Sequence, residues 1–98
     1  MAIDGTWKVT VQSPMGAQQA DLTLKQGGSD LTGSAVAAGI TVDIANGKVD
    51  GEKATWSMQI QQPFPMTLDY DVLVSGDEMR GSVKAGAFGS FPVTGTRA

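Results

Sequence analysis

The chain has no cysteine and no histidine. That inventory excludes disulfides, thiol nucleophiles, thiolate zinc sites and imidazole acid–base chemistry. Any catalysis must therefore come from carboxylates, Tyr, Lys, Arg, hydroxyls or the backbone. Cations are also few: seven Lys plus Arg stand singly against ten Asp plus Glu, for a net charge of −3. With no basic stripe to track a phosphate backbone, nucleic acid is not an expected partner. Long apolar runs are missing as well, and Met1-Ala2-Ile3-Asp4-Gly5-Thr6-Trp7 shows no basic region followed by an apolar one. The expectation is a soluble, cytoplasmic protein with no membrane span. The spacing from Asp43 to Glu52 makes no calcium loop, and Gly27-Gly28 leads into a strand pattern rather than a helix, so it makes no phosphate loop. Neither a metal nor a cofactor is expected.

Helical periodicity is the last absence, since no segment combines a 3.6-residue apolar repeat with start and stop signals. What is present is period-two alternation, the mark of half-buried strands, because side chains along an extended backbone point to opposite faces. A content of 41% hydrophobic and 17% charged residues over 98 positions argues for one folded domain, 1–98, rather than disorder. The clearest stretch is a hairpin. It runs out through Ala54, Trp56, Met58 and Ile60, turns over Gln62-Pro63-Phe64-Pro65-Met66, and returns through Leu68, Tyr70, Val72 and Val74. Before it come strands over 6–12 (Trp7, Val9 and Val11 on one face), 18–26 (Ala20, Leu22, Leu24), 31–37 and 40–45 (Ile40, Val42, Ile44). Asn46-Gly47 is a strong turn signal and predicts that the fourth strand ends there. Two further strands cover 79–85 and 91–97. Eight sequential strands with short connections predict an all-β fold without significant helix, a single small antiparallel up-and-down barrel that closes its own edges.

In such a barrel, alternate connections share an end. One set, at 26–30, 46–53 and 75–78, consists of polar turns. The other holds Pro14-Met15, Ala37-Ala38-Gly39, Pro63-Phe64-Pro65-Met66 and Phe88 with Phe91. One rim is therefore wet and the other apolar, and an apolar rim marks a ligand mouth or a partner surface.

Gly5-Thr6-Trp7 on the first strand, together with Arg97 on the last, resembles the calycin superfamily of lipocalins, fatty-acid-binding proteins and avidins. Asp30-Leu31-Thr32-Gly33-Ser34 is similar to a strand-three turn of avidins. The resemblance implies that Trp7 and Arg97 are structural, with the cation over the indole face where the barrel closes. It also implies a ligand held inside the barrel. The chain is shorter than most lipocalins and has no helical lid, so the resemblance does not extend to a large cavity.

The leading functional expectation is binding of a small hydrophobic or aromatic molecule, with Met15, Trp56, Met58, Phe64, Met66, Tyr70, Phe88 and Phe91 as ligand contacts. A second is a cofactor-independent isomerase, cyclase or lyase. Tyr70 would then act with Asp69, Asp71 or Asp43 as acid and base, provided those carboxylates turn into the barrel and have their pKa values raised there. By alternation they fall on the face opposite the apolar set. A third makes the apolar rim a homo-oligomer or docking interface over a packed interior.

Overall fold

The computed structural model describes residues 3–13, 16–37, 39–60, 65–86 and 89–98. Nine strands follow one another: β1 (Gly5–Ser13), β2 (Gly16–Gly27), β3 (Asp30–Ala37), β4 (Ile40–Asp43), β5 (Ala45–Asp50), β6 (Lys53–Ile60), β7 (Met66–Ser75), β8 (Glu78–Ala85) and β9 (Ser90–Arg97). Each strand pairs antiparallel with the next except β4 and β5, which both pair with β3; β1 also pairs with β9, and the circuit runs β1-β2-β3-β5-β6-β7-β8-β9. The fold is the closed eight-stranded antiparallel barrel that the alternation predicts, with one additional strand that it does not. Among the described residues there is no α-helix.

The apolar faces found by alternation point inward, except that Ile40 at the start of β4 is exposed. Trp7 and Val9, Leu22 and Leu24, Ala54, Trp56 and Met58, Tyr70 and Val72, and Met79 and Val83 form one buried cluster. The three wet-end turns share one construction. Gly28, Gly51 and Gly76 open two-residue turns at φ of 64°, 61° and 61°, between the pairs Gly27↔Asp30, Asp50↔Lys53 and Ser75↔Glu78. A left-handed first turn residue is what keeps such short hairpins in step with strand twist.

Here one expectation is corrected. Asn46-Gly47 is not a turn: it lies inside β5, and the chain reverses five residues later at Gly51-Glu52. Asn46 adopts φ 55°, and the pairing with β6 shifts register between Ala45 and Lys48, a β-bulge. A Cβ on Gly47 would come within 2.1 Å of the Leu31 carbonyl oxygen, so glycine is needed where β3 presses on the bulge. The dipeptide that suits a primed turn also suits a bulge, and packing against β3 decides between them.

The bend between β4 and β5 leaves a split in the wall. β5 meets β6 from Asp50↔Lys53 to Ala45↔Ser57, while Met58, Gln59 and Ile60 pair only with β7, and no ladder joins β4 to β6 among the described residues. The backbone bonds from Ile44 N–H to the Gly33 carbonyl (3.0 Å) and from Val74 N–H to the Glu52 carbonyl (2.8 Å) set the phase. By alternation, the main-chain groups of Thr41, Asp43 and Gln59 turn toward the split.

The wet end is closed by the N-terminal segment. Trp7 Nε1–H donates to the Ile3 carbonyl at 2.9 Å, and the Gln26 backbone N–H donates to Asp4 Oδ1 at 2.9 Å. Arg97 lies over Trp7, its Cζ 4.4 Å from the ring centroid. Its guanidinium donates to Asp77 Oδ1 at 3.0 Å and to the Asp4 carbonyl at 2.6 Å. A Cβ on Gly5, at φ 129°, would meet Arg97 Nη1 at 2.9 Å, which gives the glycine two positions before Trp7 a steric reason.

Candidate functional site

Above this floor, Trp56 on β6 and Tyr70 on β7 stand directly opposite each other in the ladder, both facing inward. Their rings stack with centroids 5.2 Å apart and planes 13° from parallel, an arrangement worth about 0.5–1.5 kcal/mol beyond area burial. The register continues the row to Val83 on β8 and Phe91 on β9. Burial of Tyr70 pushes its phenol up to about 12, so the group is neutral at physiological pH and can both donate and accept.

The two tryptophans differ in one respect. Both are almost fully buried, at 0% for Trp7 and 2% for Trp56. Trp7 gives its N–H to Ile3, whereas Trp56 Nε1 is buried without a hydrogen-bond partner among the described residues. A buried donor left unmade costs about 1–3 kcal/mol, which is why such groups are few in folded proteins and call for a specific explanation.

Around the pair the inner wall is hydrocarbon. Met58 is buried and opposes Leu68, Met66 is half-buried and opposes Ile60, and Phe91, Val42, Ile44 and Leu68 pack partly covered against the core. Met15, Phe64 and Phe88 lie outside the described residues. Of the expected ligand contacts, the structure thus brings Trp56, Met58, Tyr70 and Phe91 to the inner face, with Met66 at its apolar end.

The acids stand elsewhere. Asp43, Asp69 and Asp71 are exposed on the outside, with the strand wall between them and the Tyr70 ring. Asp69 accepts the Ser57 hydroxyl proton at 2.6 Å, and Asp71 lies 3.6 Å from Lys53 Nζ. The inward turn of Asp69 and Asp71 on β7 that acid–base chemistry would need is absent, because Val72, Tyr70 and Leu68 occupy the inward positions. Asp69 and Asp71 instead line an open outer groove of about 410 Å³ with Ser57, Ser82 and Lys84, to which Trp56 and Tyr70 also contribute. That groove follows from cross-strand register, Ser57↔Asp69↔Lys84, which no single strand reveals. Among the described residues no group of three or more Asp, Glu, His or Cys is gathered that could hold a metal ion. No helix there is long and apolar enough to cross a membrane.

Sequence reasoning also missed two floor residues. Asp4 and Asp77 read as an ordinary solvated acid and a turn acid; in the structure both receive hydrogen bonds that tie distant segments together. Their partners lie 22 and 20 positions away in sequence, beyond the reach of local pattern.

Fold and site together define a small closed antiparallel barrel with an apolar interior and a single pair of stacked, polar-tipped aromatics in its wall. No protein-family model matches the chain, and no curated protein matches its sequence.

Proposed function

We propose that the protein is a binding module of calycin-like type that holds one small hydrophobic or aromatic molecule inside the barrel, against Trp56, Tyr70, Met58 and Phe91. The observation that carries this reading is the orphaned Trp56 Nε1. The fold satisfies the equivalent atom of Trp7 from its own backbone, yet leaves this one without an acceptor among the described residues, in a wall where the Tyr70 phenol is the neighbouring polar group. A bound molecule supplies both the missing acceptor and apolar contact, at roughly 25 cal/mol per Å² of surface taken from water. The Arg97–Trp7 contact at the foot of the barrel supports the calycin-like assignment. With Asp43, Asp69 and Asp71 in solvent, no carboxylate is within the barrel to serve Tyr70 as a base.

Native mass spectrometry and calorimetry with a panel of small aromatics and terpenoids test the proposal. A one-to-one complex is expected, weakened by about 100-fold or more in Phe91→Asp, since a carboxylate at that inner position would have to be desolvated without a partner. Leu73→Asp, at an outward position 60% exposed, serves as the control and should leave affinity unchanged. Failure of the whole panel to bind, or equal loss in both variants, would overturn the reading.

A further inference from the structure

The charges of this chain lie on the outside with one exception. Every Asp, Glu and Lys, and Arg80, is exposed; Arg97 alone is half-buried. None of the residues outside the described set is Asp, Glu, Lys or Arg, so no side-chain charge of the protein is left unplaced. Arg97 does not serve the interior. It lies against the face of Trp7 at the floor and is held by Asp77 and the Asp4 carbonyl.

Resting on the binding reading above, we infer that the ligand is an uncharged molecule bearing a hydrogen-bond acceptor, of the carbonyl or pyridine-nitrogen kind, which accepts from Trp56 Nε1–H. An indole N–H donates and cannot accept, so only an acceptor satisfies it. A carboxylate would also accept, but it would lie in a wall with no cation to pair with it, and burying an uncompensated ion is strongly unfavourable. A cationic ligand meets the same objection, because the interior holds no carboxylate. Tyr70 strengthens the discrimination: its neutral phenol can add a hydrogen bond but cannot neutralise an ion. The split between β4 and β6 is flanked on its inner side by Val42, Ile44, Met58 and Ile60, so this part of the wall likewise offers nothing to a charge.

Three probes of one shape separate the possibilities: acetophenone, α-methylstyrene and benzoate share a ring and a planar branched substituent, but carry a neutral acceptor, none, and an anion. Each is titrated by calorimetry into the full chain and into Trp56→Phe, whose fold is checked by its unfolding transition. Acetophenone is expected to bind about 5–10-fold more tightly than α-methylstyrene, the value of one net hydrogen bond. That preference should vanish in Trp56→Phe, and benzoate should bind at least about 30-fold more weakly than acetophenone. Independently of any variant, the Trp56 indole N–H resonance should shift downfield with acetophenone and not with α-methylstyrene, while that of Trp7 stays in place. Benzoate binding as well as the ketone, a ketone preference that survives Trp56→Phe, or an unmoved Trp56 resonance would overturn the inference while leaving the binding module standing. If none of the three binds, the inference falls together with the reading beneath it.

Discussion

Tyr70 is the single tyrosine of the chain, and its phenol sits stacked against Trp56 inside the barrel. Desolvation raises it from 10.0 to about 12, which ties its ionisation to folding. Below pH 10 the phenol is protonated in folded and unfolded chains alike, and the full stability is present. Between pH 10 and about 12 the unfolded chain gives up a proton that the folded chain keeps. Stability should therefore fall by about 1.4 kcal/mol per pH unit across that window and level off above it. Phenolate absorbance measures this directly. The titration midpoint should lie near 12 in the folded protein and near 10 in urea, and the corresponding slope in urea-unfolding free energy should disappear in Tyr70→Phe. A folded midpoint near 10 would show that the ring is solvated. That Tyr70 faces inward was legible from its place among Leu68, Val72 and Val74. Its stack on Trp56 was not, because side-by-side contact depends on a register between two strands that alternation within either one leaves open.

The element that departs from expectation is the fourth strand. Its apolar positions, Ile40, Val42 and Ile44, were readable; its continuation through Asn46-Gly47 to Asp50 was not, since a turn dipeptide and a bulge dipeptide call for the same backbone freedom. The consequence is the split beside β6, where an otherwise continuous wall has two unpaired edges. Hydrogen exchange should locate it. The amides of Thr41, Asp43 and Gln59, turned toward the split, should exchange about 100-fold or more faster than those of Val42 and Met58, which face β3 and β7. Equal protection across each strand would mean that the edges are bridged in solution. Asp69 and Asp71 alternate with Tyr70 and Val72, so the inward position of either set forces the other outward, and a hydrophobic interior decides which set that is.

At the scale of the whole molecule, closure depends on bringing the first strand against the last. Trp7 pairs with Arg97 in register, and the guanidinium then spans three segments: the indole of β1, the backbone at Asp4 and the β7–β8 turn at Asp77. Arg97→Ala removes the cation–π contact and leaves a buried face of Trp7 uncovered. A loss of about 2 kcal/mol in urea unfolding is expected. Asp77→Asn should cost about 0.5 kcal/mol or less, because the Asp77 side chain is 83% exposed and water replaces its contribution. Equal losses would place the stabilisation in the surface ion pair instead of the Trp7 contact.

Local pattern is enough for the strand-rich class, the inward set of apolar side chains and the outward set of charges. Alternation is a property of each strand alone, and the cost of burying charge selects the face. Tertiary structure decided the rest: the bulge at Asn46-Gly47, the split between β4 and β6, the outer groove, the bonds that seal the floor, and the isolation of Trp56 Nε1. Each of these depends on what stands opposite a residue across a ladder or across the barrel. Such distances are set by closure of the sheet, where residues 90 positions apart become neighbours, as Arg97 and Trp7 do.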